Sequence, residues 1–196
     1  MDARRTALVV AVPEAEDVVG PHRLRLDPLT ALGVPAHVTV LFPFAPAATV
    51  DEALRSRLSG LFAGVPAFEF SLDRTGWFGT DVLWLAPEPE HDFRNLTRLV
   101  SEAFPEYPPY GGEFDDVVPH LTVADGAPRA DMLAAEQHVS AALPIRSAAR
   151  SVTLLVEEGS GHWRPGGSFS LGPDRLGHPG ARARADGERM PGSTTE

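Results

Sequence analysis

Pro35-Ala36-His37-Val38-Thr39-Val40 and Val118-Pro119-His120-Leu121-Thr122-Val123 are two short stretches with nearly the same content. Each is a His-apolar-Thr-apolar tetrad entered through a proline one or two residues earlier. Side chains on a β-strand alternate between faces. His37 and Thr39 therefore project to one side while Val38 and Val40 pack inward. His120 and Thr122 do the same, backed by Leu121 and Val123. Each tetrad reads as a strand with a buried back and a presented imidazole and hydroxyl.

The surrounding chain predicts a scaffold of alternating elements. Thr6 to Val12 is a short β-branched run ended by Pro13, a buried strand. Glu14 to Leu26 is amphipathic and helical, with Gly20-Pro21 weakening its middle. Gly33-Val34-Pro35 breaks the chain before the first tetrad strand, which runs to Phe42. Thr49-Val50-Asp51-Glu52 fits a Thr-x-x-Glu capping box for a helix to about Phe62. Ala67 to Leu72 and Val82 to Leu85 form a hairpin that turns near Gly76 to Gly79. A helix follows over Asp92 to Phe104, then a Pro-, Gly- and Tyr-rich loop over Pro105 to Asp116. The second tetrad strand spans Val117 to Ala124, a helix Pro128 to Leu143, and a last hairpin pairs Ser151–Glu157 with Trp163–Leu171. Each tetrad is followed by a helix and a hairpin, a weak internal duplication that predicts two similar lobes. Residues 1–172 read as one bilobal domain and 173–196, poor in large apolar residues, as a disordered tail.

Composition narrows the function. The chain has 196 residues, 43% of them hydrophobic, enough for one well-buried core. It has no cysteine, so disulfides, thiolate metal sites and a cysteine nucleophile are excluded. No stretch approaches the roughly 20 apolar residues of a membrane span, and the polar start lacks a secretory signal; the cytoplasm is the expected compartment. Net charge is -10, which disfavours general binding to duplex nucleic acid. A small phosphorylated ligand or one RNA terminus remains open, because a few local arginines suffice.

Two histidines facing one pocket can take opposite roles near neutrality, one accepting a proton and the other donating one. Two threonine hydroxyls can donate to phosphoryl oxygens. That set suits cleavage of a phosphodiester, a strained cyclic one in particular, and needs no metal or other cofactor. The paired motifs resemble the 2H phosphoesterases, which include the 2'-5' RNA ligase-like and cyclic-nucleotide phosphodiesterase proteins. Gly33 to Phe44 looks like the first motif of that family and Asp115 to Asp125 like the second; the resemblance covers about residues 5 to 172.

The resemblance implies an α+β, bilobal fold: two antiparallel-sheet lobes related by a pseudo-two-fold axis, helices outside and a cleft between. It implies His37 and His120 as catalytic residues and Thr39 and Thr122 as substrate-binding residues. The substrate class it implies is a 2',3'-cyclic phosphate or 2'-5' linkage at an RNA or nucleotide end, with hydrolysis or ligation as the direction. A monomer is expected. Arg25 precedes the first tetrad as a candidate phosphate contact, with a solvated helix face as the equal alternative. Tyr110, with Tyr107, and Phe42 are candidates for stacking on a base; Tyr110 is equally a packed lid anchor. The other five histidines, His22, His91, His138, His162 and His178, read as surface residues, and Trp77, Trp84 and Trp163 as hairpin packing.

Three competing readings follow. A non-catalytic nucleotide-binding module would use the same cleft. A two-histidine metal site lacks a third ligand, since strict alternation puts Asp125 one residue out of phase with His120. An interaction protein without a phosphate site would not bring the tetrads together.

Overall fold

The structure is a computed structural model and describes residues 4–112 and 117–173. The order of the strands explains how the two tetrads meet. One antiparallel sheet holds β1 (Thr6–Ala11), β2 (His37–Leu41), β7 (Ser151–Glu157) and β8 (Trp163–Ser170), in the order β2-β1-β7-β8. The other holds β3 (Phe68–Phe78), β4 (Val82–Glu88), β5 (Leu121–Asp125) and β6 (Ile145–Ala149), in the order β5-β4-β3-β6. The two orders correspond position by position, as the two-fold expectation requires. In both, the tetrad strand is the outermost one.

Among the described residues the α-helices are α1 (Glu16–Leu26), α2 (Pro28–Ala31), α3 (Glu52–Ala63), α4 (His91–Ala103) and α5 (Arg129–Ser140); α1, α3, α4 and α5 lie against strands, and α2 packs on α1. The connections cross over. Helix α1 leaves the first sheet and packs on β5 of the second; α4 leaves the second sheet and packs on β2 of the first. Alternation decides what each strand buries. Leu8 and Val10 of β1 enter the main core with Val38 and Val40 of β2, Leu83 and Leu85 of β4, and Leu121 and Val123. Helix α4 contributes Phe93, Leu96 and Val100 at helical spacing. The Phe93 ring meets Phe68 and Phe70 edge-on at 5.2 and 4.9 Å, contacts of about 0.5–1.5 kcal/mol each beyond burial. Ala7 and Val9, on the other face of β1, form a smaller cluster with Val34, Leu155 and Trp163.

Several local expectations need correction. The capping box does not form. Asp51, not Thr49, caps α3 by accepting from the Leu54 amide at 2.8 Å, while the Thr49 hydroxyl donates to the Pro46 carbonyl. Helix α1 continues through Pro21. The β3–β4 hairpin extends to Phe78 and turns over residues 79–81. Strand β6 and helix α2 were not expected. The second tetrad strand begins at Leu121, so His120 sits just before it. The tail from residue 174, with His178, and residues 113–116 of the Pro105–Asp116 loop lie outside the described residues.

Candidate active site

The two tetrads are mounted alike, residue for residue. Three positions before each histidine, a helix arginine holds the backbone: Arg23 of α1 donates to the Val34 carbonyl at 3.2 Å, and Arg94 of α4 to the Val117 carbonyl at 3.1 Å. Two positions before, a carbonyl pairs with the ring. His37 Nδ1 lies 2.8 Å from Pro35 O, and His120 Nδ1 lies 2.8 Å from Val118 O. A carbonyl only accepts, so each Nδ1 carries its proton. Nε2 is then the nitrogen left to exchange protons.

Beyond each threonine the strand bulges. The β1–β2 register shifts after Val9↔Thr39, so that Leu8 faces Leu41 and Val40 is the extra residue. The β4–β5 register shifts between Trp84↔Thr122 and Leu83↔Ala124, leaving Val123 extra. A bulge adds one residue and reverses the alternation beyond it. Phe42 and Asp125, each five residues after its histidine, are thereby returned to the histidine face. Asp125 pairs with Val82 and Thr122 with Trp84; Val82 and Trp84 are two apart on β4 and share a side. The expected phase mismatch between Asp125 and His120 is thus removed by the bulge. In the first half the bulge is pinned by the buried Thr97 of α4, whose hydroxyl donates to Val40 O at 2.9 Å.

Strands β2 and β5 pack together, and two hollows meet between the sheets. One, about 240 Å³, is lined by His37, Thr39, Phe42, Thr122, Asp27, Arg5 and Trp163 among others. The other, about 450 Å³, is lined by His120, Thr122, Phe78, Val82, Val117 and Val118. Tyr110, Thr122 and Asp125 line both. The four tetrad residues therefore open on one continuous cleft, and the interaction-protein expectation of separated tetrads is not met. A roomier, shallower hollow of about 550 Å³ beside β6 contains neither tetrad.

Burial, more than any neighbour, pulls the His37 imidazole down to about 4; the Pro35 carbonyl opposes this and the Arg23 cation adds to it. Burial also lowers His120, again against its carbonyl partner. Arg23 itself is buried and forms an ion pair with buried Asp27 at 2.9 Å. Phe78 packs edge-on against the His120 ring at 4.9 Å, with Trp84 at 6.2 Å.

The other sequence candidates divide. Phe42 and Tyr110 line the cleft. Tyr110 takes a left-handed backbone, φ +50, and its amide donates to Phe42 O at 2.7 Å, tying the loop to the end of β2. Arg25 is exposed on α1 and does not line either hollow. Arg5 lines the cleft instead, forked onto Glu157 at 2.8 Å by both Nε and Nη2 and set over Phe42 and Trp163 at 5.5 and 5.7 Å. The sequence leaves Arg5, Trp163 and Phe78 outside the expected site and offers Asp125 only as an out-of-phase metal ligand. Of these, only Asp125 had a readable signal: two successive apolar residues, Val123-Ala124, interrupt the alternation before it. Among the surface histidines, His22 and His138 pair at 3.0 Å. Among the described residues no group of three or more histidines, cysteines or carboxylates is placed to hold a metal ion, and no helix is long and apolar enough to cross a membrane.

The sequence model of the 2'-5' RNA ligase superfamily matches residues 11–161, a span that includes both tetrads. The chain belongs to the 2'-5' RNA ligase superfamily. Its fold is that of solved 2H phosphoesterases. LigT of E. coli, crystallised with 3'-AMP, is 19% identical, with a TM-score of 0.54 over 86% of this chain and 98% of LigT. The TT0787 protein of Thermus thermophilus is 19% identical, with a TM-score of 0.55 over 86% of this chain and 98% of its own. A structure described as a phosphoesterase is 20% identical, with a TM-score of 0.54 over 86% and 99%. At these identities the likeness concerns the fold. No curated protein sequence matches the chain.

Proposed function

We propose that this superfamily member is a metal-independent phosphodiesterase that opens a 2',3'-cyclic phosphate or cleaves a 2'-5' linkage at a nucleotide or RNA end. The observation that carries the reading is the pair of histidines with Nδ1 committed to a backbone carbonyl, each with a threonine of its own strand in one cleft. The structure of LigT with 3'-AMP supports a nucleotide as the ligand.

In the hydrolytic direction, a water oxygen bonds to phosphorus as the ester P–O bond breaks. His37 Nε2 takes the proton from water and His120 Nε2–H gives one to the departing ribose oxygen. Thr39 and Thr122 donate to the non-bridging oxygens, where charge is held through the transition state. The division of roles follows burial: His37, at about 4, is neutral near pH 7 and ready to accept. The phosphodiester anion, once bound, favours the proton on His120. The reaction is placed in the cytoplasm, on a monomer.

The test is hydrolysis of a 2',3'-cyclic nucleotide and a 2'-5' dinucleotide, with EDTA present, by the wild type, His37→Ala and His120→Ala. Each substitution should lower kcat by about 10²–10⁴-fold. Unchanged turnover in either variant would sink the reading. Tight nucleotide binding with no turnover by the wild type would favour the non-catalytic binding module.

A further inference from the structure

The two tetrad strands match up to the bulge and differ just after it. The first half places Phe42 on the cleft face, against Trp163 at 6.0 Å. The second half places Asp125 there, exposed and shared by both hollows. Arg5, which among the described residues is the one arginine lining either hollow, is forked onto Glu157. Asp27, which lines the first hollow, is matched by buried Arg23. Asp125 therefore adds a negative charge to the wall beside Thr122 that no cleft arginine offsets.

A phosphodiester carries one negative charge. A phosphomonoester, with a second pKa near 6, carries about two above neutrality. Resting on the phosphodiesterase reading above, we infer that Asp125 is a charge-selecting residue: it admits the singly charged diester substrate and disfavours the doubly charged monoester that hydrolysis leaves. A carboxylate repels the second anion about twice as strongly as the first at equal distance. Partial burial first, and after it the like charges of Asp27 and Asp81, raise the Asp125 carboxyl; only the second of these causes reflects a negative surround.

The test uses two ligands that differ by one charge, adenosine 3'-monophosphate and its methyl ester, titrated at pH 8 by calorimetry. The wild type should bind the methyl ester more tightly. Asp125→Asn should tighten the monoester about tenfold and the methyl ester by no more than about threefold, while Asp125→Glu should keep the wild-type preference. An equal change for both ligands, or none for either, overturns the inference even if the protein hydrolyses diesters. Failure of the wild type to bind either ligand overturns the phosphate-cleft reading itself, and this inference with it. Asp125 is exposed, and thermal melts of both variants should superpose on the wild type.

Discussion

Arg23 and Arg94 do the same task in opposite halves of the molecule: each reaches from a helix to the carbonyl three residues before a tetrad histidine. Their surroundings differ. Arg23 is buried with Asp27, whereas Arg94 is half-buried beside Glu90. Removing one partner of a buried pair leaves the other charge uncompensated and costs about 3–5 kcal/mol. Arg23→Met should therefore lower stability by that order in urea melts. Arg94→Met should cost about 1 kcal/mol or less, yet lower kcat about tenfold by loosening the approach to His120.

The assignment of roles to the two histidines predicts a dependence on the leaving group. A p-nitrophenyl phosphodiester departs without a proton, while an alkyl ester needs one. His120→Ala should lose about 10²–10⁴-fold on an alkyl or ribose leaving group and far less on p-nitrophenol. His37→Ala should lose similar factors on both. Steady-state rates on the two substrates decide it, and the reverse pattern would exchange the roles.

The bulge in β2 depends on Thr97. Thr97→Val keeps the shape and removes the donor to Val40 O, leaving a buried carbonyl short of a partner at about 1–3 kcal/mol. The effect should reach the cleft through Phe42, two residues on. The expected result is a raised KM with a smaller change in kcat, read from the same assays.

His37 makes stability depend on pH. Its folded value, about 4, lies below the ordinary 6.5. Above 6.5 the ring is neutral in both states. Between 6.5 and 4 the unfolded chain binds a proton that the folded chain refuses, so stability falls as pH falls and levels off below 4. The difference corresponds to at most about 3 kcal/mol, since each pKa unit is worth 1.36 kcal/mol and partial exposure reduces it. Urea melts from pH 7 to 4 should show this slope, and His37→Gln should reduce it, leaving the smaller part that comes from the likewise lowered His120.

The tetrads were legible because alternation is a local property: a histidine and a threonine two apart must share a face. The amphipathic α4 was legible for the same reason, from Phe93, Leu96 and Val100. The bulges were not, because Val40 and Val123 are ordinary apolar residues and the extra position shows only against the partner strand. Asp125 consequently seemed to face away. Strand β6 was missed because Ile145-Arg146-Ser147-Ala148-Ala149 has one large apolar side chain, and its pairing with β3 supplies what its composition does not. At the start of α3, Thr49 and Asp51 are both good caps, and the short turn at Ala47–Thr49 hands the task to Asp51. Arg5 reaches the cleft only because β1 and β7 bring Glu157 beside it, a meeting of residues 152 positions apart.

That meeting has a bearing on synthesis. All four strands of the second sheet come from one unbroken stretch, residues 68–149, while the first sheet draws two strands from each end of the described chain. A ribosome, adding about 5–20 residues per second from the N-terminus, delivers a complete set of strands for the second sheet while β1 still lacks β7 as its neighbour. Trp163 and Glu157, with which Phe42 and Arg5 form one wall of the cleft, arrive last. A nascent chain halted before its final hairpin would hold both histidines and no finished place for a substrate.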